Sequence, residues 1–504
     1  MSTQTQAGTD DSVVRGTRAD RHRRRHWYDR PLLVILAVTA LGGFLRFWHL
    51  ASPHAYVFDE VYYAKDACFD AGFDYVKCGL ASPGEQTVTV HPPLGRLIIA
   101  EGVKLFSKPG DFACEFGTYH PGCEPFGFRV TAATFGTISV LLAAILGWQL
   151  FGSALWAGAA GLLLATESLN FVQSRVGMLD IFLVTFVLAG FLFLVLDRAW
   201  IDRRTVAHPD AATADADPEA DLGLELPPDR PPSPIFRPWR IAAGLALGAA
   251  AATKWSGAPA LLGAIVITIA WERTRRKKLG LPSPFRDVLV EESFGIFVFL
   301  IVLPLAVYVA SYATWFADHQ GNLSDWWALQ RSMASYSIHL RASHPYASRA
   351  WTWLYMGRPV SYYYQGAGTR AAAILAIGNP AIFWGTFITM PYALFCWIRK
   401  PDWRAGLLVV AFAVQYFPWF LAARTDFLFY IAPATPFMVL AAVYLLRDVS
   451  EIRVGVERSR AYAPVAAFLV LIAIGLFAFF FPVLTGRTIS YTAWRARMWF
   501  PGWI

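Results

Sequence analysis

PLLVILAVTALGGFLRFWHL, residues 31–50, is followed shortly afterwards by FDEVYYAKD, residues 58–66. The first stretch is apolar over a length that, wound as an α-helix, matches the roughly 30 Å hydrocarbon core of a bilayer. The second opens on two adjacent carboxylates, Asp59 and Glu60. If the first stretch crosses a membrane, the pair stands at the outer mouth of a helix bundle. Arg46 and His49, near the end of the span, are costly in lipid and are expected to face the protein interior. Neighbouring residues on a helix point about 100° apart, so Asp59 and Glu60 address one atom only where a helix starts. Two readings follow. The pair caps a helix N-terminus and pairs with a cation such as Lys65, or it supplies one general base and one positioning group.

Composition extends the membrane reading to the whole chain. Of 504 residues, 56% are hydrophobic, 15% aromatic and only 16% charged, whereas a soluble chain carries about a quarter charged. The net charge of +8 comes largely from arginine clusters between apolar segments. That pattern suits a cytoplasmic membrane face and gives no argument for nucleic acid.

Residues 1–30, polar and basic, read as a disordered cytoplasmic tail ahead of an uncleaved first helix. The transmembrane domain then runs over 31–484. Its first outer loop, 51–125, holds a helix at about 59–70 and a second in HPPLGRLIIAEGVKLF (91–106). There Leu94, Leu97, Ile98 and Leu105 form an apolar face suited to the membrane interface. Apolar runs at about 128–150, 154–171, 176–197, 294–316, 379–398, 405–422, 427–446 and 462–484 each predict a span. Residues 241–271 would make one helix of about 45 Å, too long for a single crossing, and TKWSG (253–257) interrupts them. Two short spans meeting near Lys254 keep both basic flanks on the cytoplasmic side. The total is about eleven spans, N-terminus inside and C-terminus outside, in a plasma membrane. A disordered acidic, proline-rich insert at 198–238 lies inside, a long aromatic loop at 317–378 lies outside, and 485–504 form an outer tail.

Cys68, Cys78, Cys114 and Cys123 all fall in the first outer loop, which predicts two disulfides on an oxidising side. Pairing neighbours closes the shortest loops, but four cysteines allow three pairings. No CxxC spacing suggests zinc. His91 and the HxxxxH of 339–344 raise the question of a metal; no carboxylate completes a set nearby. The carboxylates could hold a divalent cation, but no full ligand set is visible, so none is indicated and no cofactor is firmly expected.

Cations recur at predicted outer helix ends: Arg129, Arg175, Lys254 and Arg424. One alone is commonly a snorkelling end charge. Four on the face that carries the carboxylates suit the charge of a departing phosphate. Asp180, in SRVGMLD, falls inside a predicted span and needs a partner, for which Arg175, Lys254 and Arg129 are the candidates.

FDEVYYAKDA (58–67), HPPLGRLIIA (91–100), FRVTAATFG (128–136), SRVGMLD (174–180), ATKWSG (252–257) and MASYSIHLRASHPYASRAWTWLYMGRPVSYYY (333–364) resemble, in order, the motifs of the protein O-mannosyltransferase family, its actinobacterial members in particular. The chain lacks the β-trefoil module that fungal and animal members insert in the long outer loop. The resemblance implies a helical C-type glycosyltransferase fold, a polyprenyl-phosphate mannose donor and a serine or threonine acceptor in an exported polypeptide. It also implies inversion at C1, and a place beside the secretion translocon follows from that acceptor. Asp59 matches the family's catalytic carboxylate and Glu60 its companion. Arg129 and Lys254 match positions near the donor phosphate, His91 and Asp180 match motif positions, and His344 and Tyr346 match the loop that closes over the site. Arg175 and Arg424 join the expected substrate-binding set on their placement at helix ends. Two other readings remain in view: an enzyme of the same fold that glycosylates a lipid or wall polymer, and a transporter. No internal repeat supports the transporter.

Overall fold

The computed structural model describes residues 30–82, 90–206, 235–451, 453–454, 457–458 and 462–504. The expected basic tail, apart from Arg30, and residues 207–234 of the expected insert lie outside these. The chain is a helix bundle. Among the described residues, seven helices are long and apolar enough to cross a membrane: Phe126–Phe151, Asp180–Arg204, Trp255–Lys278, Ser293–Ala310, Pro380–Arg399, Leu428–Ser450 and Ala463–Leu484. Four more expected spans form shorter helices, Pro31–Phe47, Ala154–Ala165, Pro238–Thr253 and Trp403–Tyr416. At about 1.5 Å per residue these reach roughly 18–26 Å, so the figure of eleven crossings depends on them.

Elements near the site are labelled α1 (Pro31–Phe47), α2 (Glu60–Asp70), α3 (Leu94–Phe106), α4 (Phe126–Phe151), α5 (Ala154–Ala165), α6 (Ser168–Gln173), α7 (Asp180–Val206), α8 (Pro238–Thr253) and α9 (Ala258–Lys278). α7 is apolar on every face, which marks it for the bundle centre. It is 83% buried there, beside Leu428–Ser450 at 89%, whereas Ser293–Ala310 and Ala463–Leu484 are only 28% buried and form the lipid-facing rim. α4 ends on Gly152, whose φ of 62° is a left-handed cap that costs glycine little.

Three boundaries differ from expectation, each for a local reason. The run 154–171 is split, because Glu167 leaves the helix and caps α6 through Leu169 N and Asn170 N at 3.2 and 2.7 Å. Asp180 is the first residue of α7 and not an interior one, so its carboxylate sits at a helix N-terminus, where the dipole favours it. His49 is exposed, with φ 48°; Arg46 alone of the expected pair turns inward, bonded to Asn170 Oδ1 at 2.7 Å and Ser174 Oγ at 3.1 Å. The break at Lys254 is as expected: α8 stops at Thr253, Lys254 is extended (φ −158°, ψ 135°), and a tight turn over Trp255–Gly257 leads into α9.

The expectation of an all-helical chain needs amendment: besides a short antiparallel pair, Arg453–Val454 with Glu457–Arg458, the described residues hold a three-stranded sheet. Strands β1 (Val360–Ala367) and β2 (Arg370–Ala376) form an antiparallel hairpin, and β3 (Ile489–Ser490) pairs on β2. The two-residue turn opens on Gly368 at φ 57°, as such hairpins require. β3 belongs to the stretch expected as an outer tail. That stretch is packed: Trp494 and Trp503 are buried, and Trp503 Nε1 donates to Met356 O at 2.7 Å.

The two ends of the bundle differ in chemistry. One carries the disulfides Cys68–Cys78 and Cys114–Cys123, the neighbour pairing, together with the hairpin. The other carries a buried ion network in which Arg237 meets Asp197 at 2.7 Å and Glu272 at 2.6 Å, and Arg240 meets Glu292 at 2.7 Å.

Candidate active site

Asp59 precedes the first residue of α2, and its side chain makes no capping hydrogen bond to that helix. The residue before it is held in a costly shape. Phe58 has φ 50°, a left-handed conformation that bulky residues avoid. Its N–H donates to Tyr362 O at 3.2 Å, and its ring stacks on the Tyr362 ring at 4.6 Å. The hairpin thus fixes the backbone that aims Asp59. Burial pushes the Asp59 carboxyl up to about 7; the Lys254 ammonium opposes this and the Asp180 carboxylate adds to it. Two acids and one lysine therefore share one electrostatic neighbourhood. Lys254 Nζ donates to Asp180 Oδ1 at 3.0 Å and stands 4.6 Å from the Tyr430 ring centre.

Glu60 is held within the fold. Its carboxylate is fully buried and saturated. Oε1 accepts from Arg129 Nε and Gly177 N, both at 2.7 Å, and Oε2 accepts from Arg129 Nη2 at 2.7 Å and Val57 N at 2.9 Å. A Cβ at Gly177 would stand 2.8 Å from Phe128 O, so glycine is required for this approach. Glu60 pairs with Arg129, not Lys65, and has no capacity left for substrate. Arg129 is spent as well. Its remaining N–H groups go to Leu50 O, Pro53 O and Ala55 O at 3.3, 3.1 and 2.9 Å, which uses all five guanidinium donors. Arg175 holds the last carbonyls of α1 and the turn after it. It donates to Leu45 O, Arg46 O, Trp48 O and His49 O at 2.7–3.2 Å, the groups a helix C-terminus leaves unpaired. Arg129 therefore has no donor left for the phosphate expected of it, and Arg175 spends Nη1 and one Nη2 N–H on backbone carbonyls.

Open space lies beside Lys254. A cavity of about 210 Å3 is lined by His91, Lys254, Trp255, Gln415, Trp419, Arg424 and Tyr430, among others. Burial holds the His91 imidazole well below its usual range, and Lys254 and Arg424 push it the same way, so it is neutral at pH 7. Gln415 is 3% exposed, and its Nε2 has no hydrogen-bond partner among the described residues. A lysine, an arginine and an orphaned amide N–H converging on one cavity suit an anion. His344 and Tyr346 do not line it. His344 packs edge-on against Phe427 at 4.9 Å, and Phe427 in turn contacts Phe58 at 6.4 Å. His344 thereby joins the aromatic group around Phe58, and the Tyr346 ring lies 5.9 Å from the His344 ring. Among the described residues no three His, Cys, Asp or Glu side chains gather to hold a metal ion.

Sequence reasoning did not find Gln415, Trp419 or Tyr430. A glutamine inside the apolar run AFAVQYF (411–417) is a usable signal, since polar groups in a span need a reason. The aromatic residues gave none among the many in this chain.

Comparison with known proteins places this arrangement. The family described as dolichyl-phosphate-mannose-protein mannosyltransferase matches residues 36–203, and the C-terminal four-helix region of protein O-mannosyltransferase matches 322–503. The polyprenol-phosphate-mannose–protein mannosyltransferase of Mycolicibacterium smegmatis is 31% identical, over 92% of this chain and 92% of that protein. The chain belongs to the protein O-mannosyltransferase family. The protein of the same description from Mycobacterium tuberculosis is 29% identical over 95% of this chain and 92% of its own length. Among solved structures, the S. cerevisiae protein O-mannosyltransferase Pmt1-Pmt2 complex bound to its sugar donor is similar with a TM-score of 0.70 at 14% identity, covering 94% of this chain and 92% of that one. ArnT from Cupriavidus metallidurans bound to undecaprenyl phosphate gives 0.52 at 15% identity, covering 90% and 76%. These likenesses give the protein O-mannosyltransferase chain the C-type glycosyltransferase fold.

Proposed function

We propose that this member of the family transfers mannose from polyprenyl-phosphate mannose to serine or threonine hydroxyls of polypeptides being exported. The reaction takes place at the extracytoplasmic face of the plasma membrane and inverts C1. The observation that carries the reading is the pairing of Asp59, a carboxyl with a raised pKa and no capping bond, with an adjoining cavity that offers Lys254, Arg424 and Gln415 to an anion. The donor phosphate sits in that cavity. The acceptor oxygen attacks C1 from the face opposite the phosphate, and its proton passes to the Asp59 carboxylate. The C1–O bond to phosphate breaks, and the electron pair leaves on polyprenyl phosphate, whose charge Lys254 and Arg424 stabilise. Neutral His91 is a hydrogen-bonding group there and adds no competing charge. Asp180 sets the position of Lys254, while Glu60, Arg129 and Arg175 hold the chain around Asp59.

Two features support the orientation. Disulfides form on the oxidising side of a membrane, which supports an outer position for the end carrying Asp59. The opposite end carries Arg203, Arg204, Arg275, Arg276, Lys277 and Lys278 near the termini of α7 and α9, as cytoplasmic ends do. The domain limits proposed are a tail over 1–30, a transmembrane domain over 31–484 with the insert at 198–238 inside, and a C-terminal stretch over 485–504 outside. The translocon is a proposed neighbour, since the acceptor is in transit.

The test is chemical. Purified chain is given synthetic polyprenyl-phosphate [14C]mannose and a Ser/Thr/Pro-rich peptide, and the peptide is analysed before and after alkaline β-elimination. Label that appears on the peptide and is released by alkali supports the reading. Label that goes only to lipid or polysaccharide acceptors sinks it in favour of a lipid or wall-polymer transferase.

A further inference from the structure

A second cavity, of about 740 Å3, adjoins the first. Arg341, Ser348 and Arg349 line one side and Phe420 to Asp426 the other; Ala422 and Arg424 line both cavities. Its two walls are laced together. Thr425 N donates to Leu340 O at 3.0 Å, Ser348 N to Asp426 O at 2.9 Å, and Thr425 Oγ1 to Ala342 O at 2.6 Å. The wall around 340–349 is the HPYASR stretch that carries His344 and Tyr346, whose own contacts leave this cavity unexplained.

The polar groups here are unsatisfied in opposite senses. Asp426 is 2% exposed, and neither of its carboxylate oxygens has a hydrogen-bond partner among the described residues. Arg424 Nε is 3.7 Å from Oδ1, beyond hydrogen-bond reach. A buried carboxylate without donors is costly, so the cavity calls for an occupant that brings N–H or O–H groups. Arg341 and Arg349 on the rim are exposed and offer only donors, so they call for acceptors. Phosphate alone would satisfy the arginines while facing the Asp426 carboxylate. An extended polypeptide carries N–H and C=O groups in alternation and satisfies both. A carboxylate on that polypeptide would meet an arginine in a two-bond fork.

We infer that this cavity seats the acceptor polypeptide beside its target hydroxyl. Asp426 takes hydrogen bonds from its backbone, and Arg341 and Arg349 select acceptors with Asp or Glu close to that hydroxyl. The inference rests on the mannosyl-transfer reading and extends it to the choice of acceptor.

The experiment measures binding apart from transfer. Fluorescence anisotropy is recorded on the detergent-purified full chain with two labelled peptides. Each has one threonine among alanine and proline; one carries two flanking glutamates and the other two lysines. The glutamate peptide is expected to bind about tenfold more tightly at low salt. The R341A/R349A double variant is expected to erase that advantage, and Asp426→Asn to weaken both peptides. Equal affinities in the wild type, an advantage that survives the double variant, or displacement of the glutamate peptide by an equal concentration of inorganic phosphate would each overturn the inference. Charge-selective binding without any mannose transfer would refute the transfer reading and leave the peptide seat standing.

Discussion

The role proposed for Asp59 depends on a conflict between burial and charge. In water an aspartate ionises near 3.9; here burial raises it to about 7. The folded chain thus binds a proton that the unfolded chain releases between about pH 4 and 7, so ionising Asp59 costs stability as pH rises through that window. A base must be ionised to act. The account therefore predicts that kcat/KM for mannose transfer falls about tenfold per pH unit below about pH 7, reaching a plateau above it. A profile flat down to pH 5 would contradict this. The cations divide by the same kind of reasoning. Glu60→Ala leaves Arg129 buried and uncompensated, which typically costs about 3–5 kcal/mol; the expected result is poor yield and a lowered melting temperature in detergent. Lys254→Met also breaks a buried pair, but leaves Asp180 at the N-terminus of α7 where the helix dipole favours it; it is expected to fold and bind donor weakly, which a melting curve and a donor titration measure. Both outcomes separate residues that the sequence placed in one class. An arginine near a helix end reads alike whether it meets phosphate or backbone carbonyls. Arg129 and Arg175 were legible as important and illegible in role, because their acceptors at Leu50, Pro53, Ala55 and the end of α1 are brought to them only by the fold.

At the scale of elements, α2 follows directly on Asp59, the proposed base, and depends on what surrounds it. One disulfide ties the residue Cys68 within α2 to Cys78, and the other closes Cys114–Cys123 in the same region. Closing loops of this size stabilises by about 2–3 kcal/mol in the chain-entropy account. The C68S/C78S double variant is expected to melt earlier by that amount, and to retain activity at low temperature where α2 remains docked through Glu60. Unchanged melting would show that the bridge is dispensable to α2. Helix starts and stops were largely readable here: proline and apolar periodicity announced α3, and TKWSG announced the break before α9. The hairpin was not. Its strands lie in a stretch read only as a long aromatic outer loop, and its partner β3 comes from more than a hundred residues away, a pairing that no local pattern specifies.

For the whole molecule, the span pattern was legible because a bilayer demands long apolar helices, and the family because six motifs recur in order. The count of crossings was less so, since α5 and α8 are short and lean on neighbours for their place. The proposed orientation rests on the asymmetry of the two ends and is open to direct measurement. A cysteine introduced at Glu115, near the disulfides, should react in intact cells with a membrane-impermeant maleimide. One introduced at Lys277, at the basic end of α9, should react only after permeabilisation; Cys396 is buried and should stay silent in both. The reverse pattern would put the site on the cytosolic side, away from exported acceptors.

The account as a whole stands on Asp59 as the group that takes the acceptor's proton. Its most direct test is single-turnover transfer from polyprenyl-phosphate mannose to peptide by Asp59→Asn beside the wild type, with donor affinity measured on the same preparations. The expected result is donor binding within about twofold of wild type and a transfer rate lower by at least a hundredfold, the lower range of what a general base contributes. An Asp59→Asn protein that binds donor normally and transfers mannose at a rate close to that of the wild type would contradict it.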